Sequence, residues 1–187
     1  LNLAGASQLT NIGLGAFDRC GFSGELKIPQ SVLEIGAFAF GTCANIQTIN
    51  LADASQLTQI GDNAFTQCGA ATGELKIPQS VHAIGQEAFR QCGSLNSINL
   101  SGANELTSIG TNAFSGCEQV GGTIAIPAKL TGLLDEAFQN FTGLNSIDLS
   151  GANELTSIGT RAFRDCNNAT GELQIPQSVL TISLHAF

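Results

Sequence analysis

Three glutamates, Glu25, Glu74 and Glu172, occupy one position of a repeated segment, which is the arrangement that paired-carboxylate catalysis would need. The segment reads GELKIPQSV at 24–32 and 73–81, and GELQIPQSV at 171–179. With one further strand between them, the carboxyl groups of Glu25 and Glu74 would lie about 10 Å apart. This is near the upper end of the separation in inverting glycosidases, roughly 6.5–9.5 Å. However, Lys27 and Lys76 follow on the same strand face, so neutralised surface pairs are favoured over catalysis. We predict no enzyme activity.

The six cysteines could in principle form disulfides or bind a metal ion, but they occupy a single position of the repeat. Their side chains should therefore point the same way, one coil apart. Strands about 4.8 Å apart hold the Cβ atoms too far apart for a disulfide, which prefers about 3.8 Å. No C-x-x-C motif is present, neither histidine is in register, and no phosphate-binding glycine motif occurs, so we predict no metal and no cofactor. We expect buried free thiols at Cys20, Cys43, Cys68, Cys92, Cys117 and Cys166.

The dipeptide Ala-Phe recurs eight times at intervals of 23 to 25 residues, which is typical of a solenoid. Four residues before most of these alanines stands an apolar residue, and a glycine usually follows it. Leu134 stands at one of these glycine positions, so we expect the glycines to serve close backbone approach rather than positive φ. The recurring phenylalanines are Phe17, Phe40, Phe65, Phe89, Phe114, Phe138, Phe163 and Phe187.

Short apolar alternations between the Ala-Phe pairs predict half-buried strands. Two kinds of coil alternate, one with a proline directly after the strand and one with a longer polar turn, so the full repeat is 49 residues from Phe65 to Phe114. The Ala-Phe segments should form short helical turns on the opposite, convex wall with Phe buried. We predict that one parallel sheet contains strands near 26–28, 48–51, 75–77, 97–100, 123–126, 146–149 and 173–175.

The pattern LTxIGxxAFxxC…LxIPxSV resembles the BspA-like, or Treponema-type, leucine-rich repeats. The match covers essentially all 187 residues. Leu134 and Ser183 depart from it at the glycine position, and Phe141 stands where the cysteine is expected. The resemblance implies a leucine-rich-repeat solenoid of about eight coils over residues 1–187, with the sheet on its concave face. It also implies a secreted or surface-anchored protein that binds other macromolecules, without family-wide catalytic residues.

Composition narrows the classes of partner. Fifteen acidic and seven basic residues give a net charge of −8, which disfavours binding to nucleic-acid backbones or anionic membranes. No apolar run approaches the length of a membrane span. The chain opens at Leu1 without Met and stops at Phe187 within a coil, which we interpret as a fragment of a longer repeat array. Apolar residues at both ends allow two interpretations. Either further coils of the native protein cover these ends, or the ends associate with another copy of the chain.

The remaining candidate site is the polar side of the predicted strands. We expect a non-catalytic binding and adhesion module, extracellular or at the cell surface, whose partner is a protein or glycan of another cell or the matrix. Two alternatives stay open: a structural or self-assembling building block, and a repeat appendage of an enzyme encoded elsewhere. The candidate binding residues, which we call the polar grid, are Glu25, Lys27, Asn50, Glu74, Lys76, Asn99, Asp148, Glu172 and Gln174.

Overall fold

The structure, a computed structural model, describes residues 1–3 and 5–187. It is a solenoid of short parallel strands, which confirms the predicted fold class. Its described part contains fourteen strands and no helix. The strands are β1 (Asn11–Ile12), β2 (Gly24–Lys27), β3 (Glu34–Ile35), β4 (Ile46–Asn50), β5 (Gln59–Ile60), β6 (Glu74–Lys76), β7 (Ala83–Ile84), β8 (Ser97–Asn99), β9 (Ser108–Ile109), β10 (Thr123–Ala125), β11 (Gly132–Leu133), β12 (Ser146–Asp148), β13 (Ser157–Ile158) and β14 (Thr181–Ile182).

The continuous sheet is not the predicted one. It is built from the two-residue strands that precede the recurring glycines, in the order β1-β3-β5-β7-β9-β11-β13-β14, and every neighbouring pair is parallel. From β1 to β13 each strand of this sheet buries its apolar residue and turns the preceding residue outward, as Ile35 and Glu34 show in β3, whereas Ile182 in the last strand, β14, is exposed. A strand of two residues is too short to produce an alternation in sequence, so only the stacking of coils creates this sheet.

Six of the seven predicted strands form, but they do not join into one sheet. They make three separate pairs, β2-β4, β6-β8 and β10-β12, so the prediction of a single sheet here was wrong. Left-handed glycines at the entry to the first strand of each pair, Gly24, Gly73 and Gly122, bend the chain with φ of 87°, 82° and 77°. Residues 173–175, the seventh predicted strand, form no strand.

The Ala-Phe wall consists of turns rather than the predicted helical turns. Residues two before and two after each of the first seven phenylalanines adopt left-handed backbone, such as Asn63 with φ 56° and Gln67 with φ 59°, which a right-handed helix cannot contain. The N–H of each of the first seven phenylalanines donates to the alanine carbonyl of the next coil at 2.7 to 2.9 Å, as from Phe65 to Ala88. Bonds between coils therefore replace the bonds within a helix.

The eight phenylalanines stack as one ladder through the molecule. Successive ring centroids lie 5.1 to 5.6 Å apart, and successive ring planes differ by 3 to 10°. The prediction of burial is confirmed for the six inner rings, which are at most 1% exposed: Phe40, Phe65, Phe89, Phe114, Phe138 and Phe163. The ladder and the continuous sheet both repeat once per coil and hold neighbouring coils at a fixed spacing.

The glycines that follow the sheet strands permit close approach between coils, as expected. A Cβ atom added at Gly61 would lie 2.7 Å from the backbone nitrogen of Ala37, and one at Gly110 would lie 2.5 Å from that of Gln86. Neither glycine has the positive φ found at the turn glycines. The row therefore stays free of side chains because the preceding coil occupies the space.

Leu134 interrupts this row and opens the sheet beside it. In the other coils the backbone N–H at this position donates to the carbonyl of the apolar residue one coil earlier. The N–H of Gly110 donates to Ile84 and that of Gly159 donates to Leu133, both at 2.8 Å. Within the described residues Leu134 makes no such bond, and β9 and β11 are joined at one residue pair only. The side chain of Leu134 cannot occupy the glycine space, so the strand is displaced.

We expect Leu134→Gly to close this gap. The missing backbone hydrogen bond from residue 134 to the Ile109 carbonyl would form and contribute about 1 kcal/mol, while the added glycine costs about 0.5–1 kcal/mol of chain entropy. The net change in unfolding free energy should be small, so hydrogen exchange is the better measurement. Amides at 131–134 should exchange faster than those at 156–159 in the natural chain and become equally slow in the variant. Equal rates in the natural chain would contradict the open seam.

Candidate functional site

The structure brings four polar-grid residues together in two equivalent pairs. The amide nitrogen of Asn50 donates to Glu25 at 2.6 Å, and that of Asn99 donates to Glu74 at 2.9 Å. Each bond joins the two strands of a pair, β2 to β4 and β6 to β8, and all four side chains lie at the surface. Each carboxylate therefore accepts a hydrogen bond from a neutral amide on the neighbouring strand.

The two lysines of the grid have different surroundings. The ammonium of Lys27 lies 2.6 Å from the Asp53 carboxylate, and this hydrogen bond together with the negative charge of Asp53 raises the pKa of Lys27. Gly102 takes the place of Asp53 next to Lys76, which has no ion pair among the described residues. Both lysines border a cleft beside a proline turn, of about 680 Å³ at Lys27 and Pro29 and of about 510 Å³ at Lys76 and Pro78.

The grid residues at the ends of β4, β8 and β12 also shape the turn that follows. The Asp148 carboxylate accepts hydrogen bonds from the hydroxyl of Ser150 at 2.6 Å and from its N–H at 2.9 Å, and these bonds lower the pKa of Asp148. The side-chain oxygens of Asn50 and Asn99 accept N–H bonds two residues ahead in the same way, at 3.1 Å. These residues therefore form Asx turns, a role that their types and turn positions could have indicated.

Glu172 and Gln174 lie apart from this arrangement. Both are exposed and lie outside every strand, so the structure does not place them in the row that the other grid residues share. Sequence reasoning missed Asp53 and Ser150, which are direct partners of grid residues. Asp53 could have been found, because it is the only acidic residue at its position in the polar turns, where Gly102 and Gly151 stand in later coils.

All six cysteines are free thiols, but the prediction that all are buried is confirmed only for the inner four, Cys43, Cys68, Cys92 and Cys117, whereas Cys20 and Cys166 are partly exposed. Five thiols lie 3.0 to 3.4 Å from the phenylalanine carbonyl of the preceding coil, and Phe141 fills the equivalent space in the sixth coil. Burial raises the pKa of Cys117 to about 12 and the pKa of Cys166 to about 11. Thiols held in this way pack as small apolar groups, because the reactive thiolate is disfavoured.

We expect these thiols to react only after unfolding, and the protein to lose stability in alkali. An ordinary thiol has a pKa of about 8.5. The folded-state pKa values are higher, so this contribution to stability is complete below pH about 8.5 and is lost as the pH rises toward 11–12. Denaturant titrations at pH 8, 9 and 10 measure how the free energy of unfolding falls as the pH rises. In the double variant Cys92→Ala/Cys117→Ala this fall should be smaller. Rapid labelling of several thiols in the folded protein would contradict this.

Residues 1–3 and 5–187 contain no group of three or more His, Cys, Asp or Glu side chains placed to hold a metal ion. The same residues include no helical segment that could span a bilayer.

Comparison with known proteins places the fold and the family. The solved T. pallidum leucine-rich repeat protein superposes with a TM-score of 0.73 at 28% identity, over 86% of this chain and 71% of that one. A leucine-rich repeat protein from Bacteroides ovatus gives a TM-score of 0.57 at 29% identity, over 82% of this chain and 44% of that one. No curated protein matches the chain.

The family model for the BspA type leucine-rich repeat region matches in six copies over residues 10–144 and 58–187. These matches together span nearly the whole chain, and they agree with the resemblance seen in the repeat pattern. The chain belongs to the BspA-type leucine-rich repeat family.

Proposed function

We propose that residues 1–187 act as a non-catalytic binding and adhesion module of a secreted or surface protein. The observation that carries the proposal is the repeated polar grid, which presents Glu25, Lys27 and Asn50 and then Glu74, Lys76 and Asn99 in the same arrangement. The Phe ladder and the continuous sheet fix the distance between the two sets. Membership of a repeat family whose extended surfaces bind other molecules supports this reading.

The grid is suited to weak contacts repeated along a partner surface. It contains no Trp, Tyr or Arg, which dominate the energetic centres of tight interfaces. Each exposed ion pair that its Glu and Lys side chains could make with a partner would contribute only about 0–1 kcal/mol. Several such contacts made at once raise the effective affinity without a new contact type. The partner class we propose is therefore a protein or glycan displayed at high density on another cell or in the matrix.

Beads that carry the chain at graded density test this proposal on surfaces coated with epithelial cells or matrix proteins. The number of adhering beads should rise more than in proportion to the density of the chain on each bead. The variant Glu25→Gln/Lys27→Gln/Glu74→Gln/Lys76→Gln, whose net charge is unchanged, should lose most of the adhesion.

A matched control replaces the same number of acidic and basic residues on the Ala-Phe wall, with arginines in place of lysines: Glu87→Gln/Arg90→Gln/Glu136→Gln/Arg161→Gln. This variant also keeps the net charge and removes two surface ion pairs. It should adhere like the natural chain. Equal adhesion of the grid variant and this control would overturn the grid as the binding surface. Concentration-dependent oligomers in light scattering, without any adhesion, would instead favour a self-assembling structural element.

A further inference from the structure

The outward face of the continuous sheet carries a trough that the polar grid does not include. The trough has a volume of about 440 Å³ and crosses β3, β5, β7 and β9. Gly61, Gly85 and Gly110 lie along its floor, where close packing on the preceding coil excludes any side chain. The packing of the solenoid therefore leaves a continuous strip of backbone exposed between two rows of side chains.

Polar and small side chains form the two walls of the trough. Glu34, Gln59, Ala83 and Ser108 stand on the strand side, and Ala37, Asp62 and Gln86 stand on the other. Leu134, which is 49% exposed, lies at one end because it replaces the glycine of its coil. The trough thus offers hydrogen-bonding amides along its length and one apolar contact at its end.

The charge of the trough has one sign. Glu34 and Asp62 line it, and none of the lining residues is a lysine or arginine. Asp62 uses Oδ1 to accept the Gln86 N–H at 2.7 Å, and Glu34 uses Oε2 to accept from Asn11 at 3.3 Å. Among the described residues the second oxygen of each carboxylate accepts no hydrogen bond, so each has an acceptor that faces solvent.

We propose that this trough binds an extended basic segment of a partner polypeptide. Four parallel strands span about 14 Å, which is the length of about four extended residues. A bare glycine floor allows a peptide backbone to approach closely, the amides of Gln59 and Gln86 can bond to it, and the carboxylates match arginine or lysine in charge. An apolar residue of the segment would contact Leu134. The inference rests on the proposed function as a binding module but uses a different wall of the solenoid.

Fluorescence anisotropy with the labelled hexapeptide Arg-Arg-Gly-Ser-Leu-Leu tests the proposal, with Glu-Glu-Gly-Ser-Leu-Leu as the comparison peptide. The arginine peptide should bind, the glutamate peptide should not, and the affinity should fall as salt rises. Glu34→Gln/Asp62→Asn should weaken binding about fivefold or more, because two exposed ion pairs are lost. The amide oxygen that Asp62→Asn retains can still accept the Gln86 N–H, so the turn should be preserved.

The double variant Glu25→Gln/Glu74→Gln removes the same charge from the polar grid and should leave peptide affinity within about twofold. No binding to the natural chain at millimolar peptide, or equal loss in both double variants, would overturn the trough site. The adhesion assay separates the two proposals. Adhesion without peptide binding would contradict only the proposed peptide site in the trough. Peptide binding without adhesion would contradict only the proposed adhesion function.

Discussion

Replacing Phe89 by alanine should lower the free energy of unfolding by about 3–5 kcal/mol. Phe89 is fully buried and stacks on Phe65 at 5.1 Å and on Phe114 at 5.3 Å. The variant leaves a cavity between two coils and removes both ring contacts. Because each coil of a solenoid is supported only by its neighbours, the loss should weaken the array on both sides of the fourth coil. Denaturant titration followed by circular dichroism measures the change.

Phe38→Ala is the matched control for this prediction. Phe38 lies in the turn before the second Ala-Phe pair, is 43% exposed and is not a member of the ladder. Its replacement should change the denaturation midpoint much less than Phe89→Ala. Similar losses in the two variants would mean that stacking in the ladder does not stabilise the solenoid beyond ordinary surface contacts.

The second large effect is expected at the glycine row. Gly110→Ala introduces a Cβ atom 2.5 Å from the backbone nitrogen of Gln86, closer than unbonded atoms can approach. The coil must move, and overpacking of this kind costs about 1–3 kcal/mol. The Gly110 N–H, which bonds to the Ile84 carbonyl at 2.8 Å, should then exchange with solvent more quickly. Unfolding free energy and hydrogen exchange together measure the effect.

Gly102→Ala provides the comparison, since an added Cβ atom there meets nothing within 4 Å. It should change stability by less than about 0.5 kcal/mol, as other unobstructed surface substitutions do. The contrast between the two glycines tests why glycine recurs at this position of the coils. It distinguishes contact with the preceding coil from a need for backbone flexibility. Equal effects at Gly102 and Gly110 would reject that explanation.

The candidate binding residues show where sequence reasoning reached its limit. The repeat correctly identified Glu25, Lys27, Glu74 and Lys76 as exposed strand residues, because alternation fixes which side of a strand faces outward. It did not identify the bonds from Asn50 to Glu25 and from Asn99 to Glu74, which join residues 25 positions apart. Such bonds depend on how neighbouring coils align, and no local pattern encodes that alignment.

The sequence by itself determined the solenoid, the family, the inward direction of the phenylalanines and the burial of most cysteines. Each of these follows from a period that recurs over the whole chain, so a single misread coil could not change the result. The close-packed glycine row was also predictable, because Leu134 showed that positive φ is not required there.

Tertiary structure alone decided which strands join. The eight-stranded sheet consists of two-residue strands that leave no alternation in sequence, while the longer predicted strands are divided into pairs by the left-handed Gly24, Gly73 and Gly122. The Ala-Phe segments became turns rather than helices because their N–H groups bond to the next coil, as from Phe65 to Ala88, and not within the segment. Both outcomes arise from hydrogen bonds between coils, which exist only after the coils have stacked.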